Sequence, residues 1–272
     1  MSRTLLPALV LLSSCNGELA AYLPTVSFNR LDVNDVDWEM ADTNFVFTVD
    51  NPNPVDVTLA SFDYDLAFGG ISWASGDDPD GLTLGASGSS EVSLPVSVVF
   101  QDLYDMVQAT RGEDTIDFEL AGSFGFNTPL GLIELPYDAG GGFPALRTPD
   151  FAYDSVTVGD LSFSGATVNL NLNVDNAHAS TLDFTNFAYA VSLEGYDIGE
   201  GSLASLGAVD GSTTGALTLP IEVDFGDAGY ALYEALTSSK INVGLAASTD
   251  VDTPFGIVPL ALDESGQVRV GD

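Results

Sequence analysis

The sequence predicts an all-β fold made of two tandem antiparallel β-sandwiches, each with one short helix. Three observations indicate this fold: the chain repeats itself after 125 residues, apolar and polar side chains alternate along most of it, and each copy has one stretch with helical spacing. The repeated landmarks are Val49-Asp50-Asn51 with Val174-Asp175-Asn176, Leu94-Pro95 with Leu219-Pro220, and Thr128-Pro129-x-Gly131 with Thr253-Pro254-x-Gly256. A repeat of this length matches one ordinary domain, so each copy is expected to close its own core.

The repeat also predicts the domain boundaries. Pro24 aligns with Pro149, which gives domains at 24–148 and 149–272 after a linker at 16–23. The glycine run at 140–142 precedes the second copy and suggests a hinge.

Three strand segments with a period of two recur in both copies, which is typical of half-buried strands. Pro95 and Pro220 fall on the outward phase of the third segment, and proline cannot donate a ladder hydrogen bond, so that strand is expected at a sheet edge or at a bulge. The inward-facing residues are Thr43, Phe45, Phe47 and Val49 with Val168, Leu170, Leu172 and Val174; Phe62, Tyr64, Leu66 and Phe68 with Phe187, Tyr189, Val191 and Leu193; and Val92, Leu94, Val96, Val98 and Phe100 with Leu217, Leu219, Ile221, Val223 and Phe225.

After the third strand the apolar spacing becomes helical, at Leu103, Met106 and Val107 in copy one and at Tyr230, Tyr233 and Leu236 in copy two. Two more alternating segments follow, beginning at Ile116 and Ile241. The Thr-Pro-x-Gly sequences then predict the type I turn of a closing hairpin, with proline at the second turn position and glycine at the fourth.

The charge of the chain argues against two classes of anionic partner. Forty acidic side chains stand against six basic ones in 272 residues, a net charge of −34, and 45% of the residues are apolar. Such a chain has enough apolar material for two cores, while its surface repels nucleic acid and anionic lipid headgroups. Divalent cations are expected only as surface counterions.

The first fifteen residues predict a bacterial lipoprotein signal. Arg3 precedes an apolar run from Leu5 to Leu12, which is too short to span a bilayer. Leu12-Ser13-Ser14-Cys15 resembles the lipobox, whose cysteine becomes the acylated first residue of the mature chain. Cys15 is the only cysteine, so it has no intramolecular disulfide partner. The residue after the cysteine is Asn16 and not the aspartate that retains lipoproteins in the inner membrane. This favours a location of the protein at the outer membrane, on its periplasmic or surface face.

Copy one also carries a family resemblance. Asn51-Pro52-Asn53-Pro54 ends an alternating strand and is followed by a Phe-x-Tyr-x-Leu strand, a Leu-Pro-Val strand, a helix and a hairpin. This order resembles the LEA type 2 family, the LEA14-like proteins with a water stress and hypersensitive response domain. Copy two keeps Asn176 but reads Ala177-His178-Ala179 where the prolines would stand, so its likeness depends on the 125-residue register.

The resemblance implies a seven-stranded, fibronectin III- or immunoglobulin-like sandwich, a role in tolerance of desiccation, cold or osmotic stress, and no catalysis or cofactor. It implies a structural role for the motif, in which each proline pushes the preceding asparagine into extended backbone and fixes the angle at which the strand leaves the sheet.

Candidate chemistry in the sequence is sparse. His178 has no counterpart in copy one and no nucleophile or orienting acid in a local motif, so we expect a surface or turn histidine. One histidine and one acylated cysteine cannot form a usual zinc site. Two oxygen-rich loops are candidates for calcium but lack the EF-hand spacing, and solvated turns explain them as well. Their carboxylates belong to Asp32, Asp35, Asp37, Asp77, Asp78 and Asp80.

These observations favour a non-enzymatic, membrane-anchored envelope protein with stress-protective or protein-interaction function, whose partners would be client proteins or lipid. Two alternatives stay open. One is a carrier that holds a lipid or another apolar ligand between sandwich and helix, against the faces of Leu103 and Met106 or of Tyr233 and Leu236. The other is a calcium-dependent adhesion module.

Overall fold

A computed structural model describes residues 23–77, 83–107, 112–128, 131–162, 164–224 and 229–271. The signal segment with Cys15, most of the linker, Asp78 and Asp80 lie outside the described residues, and so does the side chain of Asp77. No helix in the described ranges is long and apolar enough to cross a bilayer.

The first copy folds into two antiparallel sheets, one with the strand order β1-β2-β6 and the other with the order β4-β3-β7-β8 and a short β5 beside β3. The strands and the helix are β1 (Thr25–Val36), β2 (Met40–Asn51), β3 (Val57–Phe68), β4 (Ile71–Asp77), β5 (Thr83–Leu84), β6 (Gly88–Val99), α1 (Phe100–Val107), β7 (Thr115–Thr128) and β8 (Gly131–Pro144).

The second copy repeats this arrangement with the strand order β12-β11-β14-β15-β9-β10-β13. Its elements are β9 (Asp150–Gly159), β10 (Gly165–Asp175), β11 (Leu182–Leu193), β12 (Tyr196–Val209), β13 (Thr214–Asp224), α2 (Gly229–Leu236), β14 (Lys240–Thr253) and β15 (Gly256–Gly271). The all-β prediction is therefore confirmed, with one addition. Within the second copy, β15 pairs in parallel with β9, and this pair joins β12-β11-β14-β15 to β9-β10-β13 in one sheet.

The alternating segments form the strands that the sequence predicts. Phe45, Phe47 and Val49 are fully buried, and their counterparts Leu170, Leu172 and Val174 are at most 2% exposed. Most of the side chains between them are more exposed because successive residues of a strand point to opposite faces, although Val46 is only 2% exposed. Each copy therefore has its own core, rich in phenylalanine in the first sandwich and mostly aliphatic in the second.

The two strand prolines lie at sheet edges, as predicted. Pro95 lies in β6, the outer strand next to β2, and pairs with Asn44 of β2. Pro220 lies in β13, the outer strand next to β10, and pairs with Asn169 of β10. Both ladders pass the proline without a register shift, because an edge strand has one side on which no N–H is required.

Two details differ from the sequence-based expectations, and a third agrees with them. Helices α1 and α2 are present, but Tyr230 is 76% exposed and Leu232 takes the buried position instead. The closing hairpins form as predicted, because Thr128 pairs with Gly131 and Thr253 with Gly256, and both glycines have positive φ. The glycine run at 140–142 is no hinge, because it pairs with β7, where the Phe118 ring leaves little room for a Cβ at Gly141.

Candidate functional site

The family motif of copy one forms a corner at the end of β2, which we name the copy-one corner (residues 51–55). Asn51 is 1% exposed, and its Nδ2 donates to the carbonyl oxygens of Val55 (3.0 Å), Leu84 (3.4 Å) and Gly85 (3.0 Å). Its Oδ1 accepts from the backbone N (3.0 Å) and the Nδ2 (2.9 Å) of Asn53. One buried amide thus ties three stretches of chain together.

The copy-two corner (residues 176–180) repeats these bonds 125 residues later. Asn176 is fully buried, and its Nδ2 donates to the carbonyl oxygens of Ser180 (2.9 Å), Val209 (3.0 Å) and Asp210 (3.3 Å). Its Oδ1 accepts from the backbone N of His178 at 2.9 Å. Because copy two makes the same corner without prolines, the asparagine amide forms it, a role that the proline-based expectation missed.

The copy-two corner also contacts the first sandwich. The backbone N of Gly112 donates to the carbonyl oxygen of Ala177 at 2.8 Å. Asp114 accepts from the backbone N of Ala179 at 2.9 Å and from the hydroxyl of Ser180. The corner is therefore part of a domain junction.

His178 lies in the bend between β10 and β11, but it is inside this junction, so the expectation of a surface or turn histidine is right about the turn and wrong about the surface. Its side chain is fully buried, with Nε2 2.8 Å from the carbonyl oxygen and 3.1 Å from the backbone N of Arg147. Nδ1 lies 3.4 Å from Asp114 Oδ1 and has no hydrogen-bond partner among the described residues. A buried imidazole of this kind cannot meet a substrate, so it is not a candidate general base.

Apolar contacts complete the junction. Phe255 packs against the core of the first sandwich, and Val258, although it belongs to β15, is 1% exposed within that core. Trp38 packs against both cores and donates its Nε1–H to the carbonyl oxygen of Pro259 at 3.0 Å. These contacts could not be predicted from local sequence patterns, because they depend on how two folded domains meet.

A cleft of about 510 Å³ opens beside helix α1, next to the junction. The guanidinium carbon of Arg147 lies 4.4 Å from the centroid of the Tyr104 ring, a cation–π geometry. Tyr104 donates its hydroxyl to the carbonyl oxygen of Leu146 at 2.5 Å, and burial raises its pKa to about 12, although the charge of Arg147 acts in the opposite direction. The cleft is lined by Trp38, Glu39, Val99, Phe100, Gln101, Tyr104, Leu146, Arg147 and Thr148.

The helix faces suggested for an apolar ligand lie elsewhere. Leu103 is fully buried and Leu236 is 3% exposed, and each belongs to the core of its own sandwich. Met106 is half-buried and Tyr233 packs on the core from the edge. Leu103 and Leu236 therefore pack their helices onto the sheets.

The described calcium candidates have partners within the chain. Asp32 forms an ion pair with Arg30 (2.9 Å), and Arg30 also pairs with Glu91 (2.8 Å). Asp35 accepts from the backbone N of Val36, and Asp37 Oδ1 accepts from the backbone N of Glu39 (2.7 Å) and of Met40 (2.8 Å), which caps the β1–β2 turn. Within the described ranges, no group of three or more metal-ligating side chains is found.

The residues of the first sandwich match a known protein family. The profile of the family LEA_2, late embryogenesis abundant protein, matches residues 46–141, which include the copy-one corner and most of the first sandwich. Lea14-A from Gossypium hirsutum, a late embryogenesis abundant protein, is 26% identical over 107 residues, covering 39% of this chain and 71% of the relative.

The first sandwich belongs to the LEA type 2 family. Membership supports a stress-related role only in general terms. Among solved structures, a protein described as late embryogenesis abundant, At2g46140.1, is 19% identical over 45% of this chain and 71% of its own, with a TM-score of 0.35. A protein from Archaeoglobus fulgidus is 10% identical over 45% of this chain and 95% of its own, with a TM-score of 0.29. Neither likeness is close enough to carry an argument.

Proposed function

We propose that this chain is a non-enzymatic, lipid-anchored protein of the bacterial envelope whose two LEA type 2 domains protect neighbouring molecules during desiccation, osmotic or cold stress. The observation that carries the proposal is the family match over residues 46–141. Each hydrogen bond that the Asn51 Nδ2 group donates is repeated by Asn176 at the equivalent position, which supports extending the family to the second sandwich.

The charge of the surface supplies a protective mechanism. Once the segment before Cys15 is removed, five basic side chains remain against forty acidic ones, a net charge of −35. Charge repulsion keeps such proteins apart, and each carboxylate retains water and counterions. The rigid sandwiches would present this hydrated surface to client proteins or lipid without unfolding.

The protective role is tested by freeze-drying a labile enzyme with the purified protein. We expect more residual enzyme activity than with an equal mass of serum albumin, and more still when the salt concentration is low enough for the carboxylates to repel each other. Protection no better than that of albumin would overturn the mechanism.

The anchor has its own test, because it rests on the sequence before residue 16. Intact mass of the chain extracted with detergent from bacterial membranes should begin at Cys15 and include acyl chains. A Cys15→Ser variant should lack these chains and leave the membrane fraction. An unmodified wild-type chain would remove the anchor from the proposal and leave a diffusible protectant.

A second candidate function, a carrier for an apolar ligand, is favoured by the cleft beside α1. Its apolar side chains would hold a hydrocarbon body, and the Arg147 guanidinium would bind a carboxylate. A fluorescent long-chain fatty acid is the probe. Val99→Arg, at a cleft residue that is 42% exposed, should abolish uptake, whereas Val33→Arg, at a 39% exposed residue that does not line the cleft, should not. A wild-type protein that takes up no probe removes the carrier function.

A further inference from the structure

We propose that the copy-two corner is an interdomain latch, which holds the two sandwiches as one rigid body. Tandem domains usually move relative to each other unless their interface is extensive and apolar. Here the chain between β8 and β9 is only five residues long, and the corner adds direct bonds across the junction.

The latch consists of hydrogen bonds that need no long, flexible side chain. One bond joins two backbones, from Gly112 N to Ala177 O (2.8 Å), and one joins a backbone to a carboxylate, from Ala179 N to Asp114 Oδ1 (2.9 Å). The hydroxyl of Ser180 donates to the second oxygen of Asp114. Bonds to an ionised acceptor are stronger than neutral ones, and few rotatable bonds are immobilised in forming them.

The residues of the latch are those at which the two copies differ. With the 125-residue offset, Pro54 becomes Ala179, which has the N–H that Asp114 accepts, and Val55 becomes Ser180, which has the hydroxyl. Asn53 becomes His178, whose Nε2 reaches Arg147. The copy-one corner cannot make the two bonds to Asp114, because proline has no N–H and the valine side chain has no polar group.

A second attachment point restrains rotation about the corner. The hairpin between β14 and β15 places Val258 within the core of the first sandwich, and Trp38 donates to Pro259 from the other side of the junction. Gly112 permits the close approach: its φ is +86°, and a Cβ there would lie 2.6 Å from Ser212 Oγ. Two separated contacts fix an orientation, whereas a single contact would leave a pivot.

The test is NMR of the full chain carrying Cys15→Ser, with residual dipolar couplings measured for both sandwiches. We expect one alignment tensor to fit both. Ala179→Pro, which introduces the proline of copy one, and Asp114→Ala should each produce two different tensors, because the domains then reorient independently.

The matched control is Asp56→Ala. Asp56 accepts the backbone N–H of Ala86 at 2.8 Å, a bond of the same kind inside the first sandwich, so its loss should leave one tensor. If Ala179→Pro unfolds the second sandwich, Asp114→Ala and its control still decide the question. Separate tensors in the wild-type chain, or one tensor in both latch variants, would overturn the latch.

Discussion

The two strand-end corners share their asparagine and differ in almost everything beside it. Asn51 and Asn176 donate to carbonyl oxygens at equivalent positions, yet copy one has prolines at 52 and 54 where copy two has alanines. The comparison separates two roles that a single copy would have confounded. The buried amide builds the corner, while Pro54 removes the N–H group that Ala179 uses in copy two to bind the other sandwich.

The two sandwiches also differ where the chain leaves them. In the second, Arg269 at the end of β15 pairs in parallel with Ser155 of β9. The equivalent position in the first is Pro144, which has no N–H, and β1 and β8 lie in separate sheets there. After Pro144 the chain continues into the junction, where Ala145 and Leu146 are buried. The segment that follows β8 therefore forms the connection to the second sandwich.

The largest expected effect comes from removing the shared amide. Asn51→Ala and Asn176→Ala should each lower the free energy of unfolding by about 3 kcal/mol, because each leaves three carbonyl oxygens without their donor and buried polar groups without partners are costly. Urea unfolding followed by circular dichroism measures the loss. If Asn51→Ala were nearly neutral while Asn176→Ala were not, prolines would be holding the copy-one corner.

Two neighbouring residues of the β14–β15 hairpin sharpen the comparison at the junction. Val258 is 1% exposed in the core of the first sandwich, whereas Ile257 is 67% exposed. Val258→Ala should therefore lower the free energy of unfolding by about 2 kcal/mol, and Ile257→Ala by about 0.5 kcal/mol or less. Equal effects in thermal unfolding would contradict the docking of this hairpin.

Much of the fold could be predicted from the sequence, because it depends on local patterns. Alternation along segments such as Phe45 to Val49 fixes which face is buried, and the proline at position 95 or 220 places a strand at an edge. Residues with helical spacing at Leu103 and Leu236 predicted the helices. Each of these inferences needs only the chain near the residue concerned.

The junction could not be predicted in this way. His178 has a sequence environment typical of an exposed turn, and only the docking of Asp114 and Arg147, 64 and 31 residues earlier, buries it. The same holds for Leu103, whose helix face the pattern left open to a ligand and which belongs to the first core instead. Contacts between distant elements decide these cases, and local sequence patterns do not reveal them.

A smaller effect is expected at alkaline pH, from Tyr104 at the exit of the first sandwich. Burial raises its pKa to about 12, above the value of about 10 in an unfolded chain, so the neutral phenol favours the folded state. Its contribution is complete below pH 10 and is lost as the pH rises towards 12. Because the ring is partly exposed, the loss should be about 1 kcal/mol.

Tyr104→Phe tests this contribution, since its stability should fall less than that of the wild type between pH 10 and pH 12. Tyr230→Phe, at a tyrosine that is 76% exposed on α2, is the matched control and should follow the wild type. Identical pH profiles for wild type and Tyr104→Phe in urea unfolding would show that the phenol is not held neutral by the fold.

The smallest effect is expected where the two corners differ most visibly. Pro54→Ala in copy one should lower the free energy of unfolding by only about 0.5 kcal/mol, because the bonds of Asn51 remain and the loss arises mainly from greater freedom of the unfolded chain. Urea unfolding beside Asn51→Ala provides the scale. A loss as large as that of Asn51→Ala would show that the proline stabilises the corner as much as the amide does, and the role assigned to the amide would be wrong. A small loss would support a different role for proline at this position: it leaves the corner without the backbone N–H that Ala179 of copy two donates to Asp114.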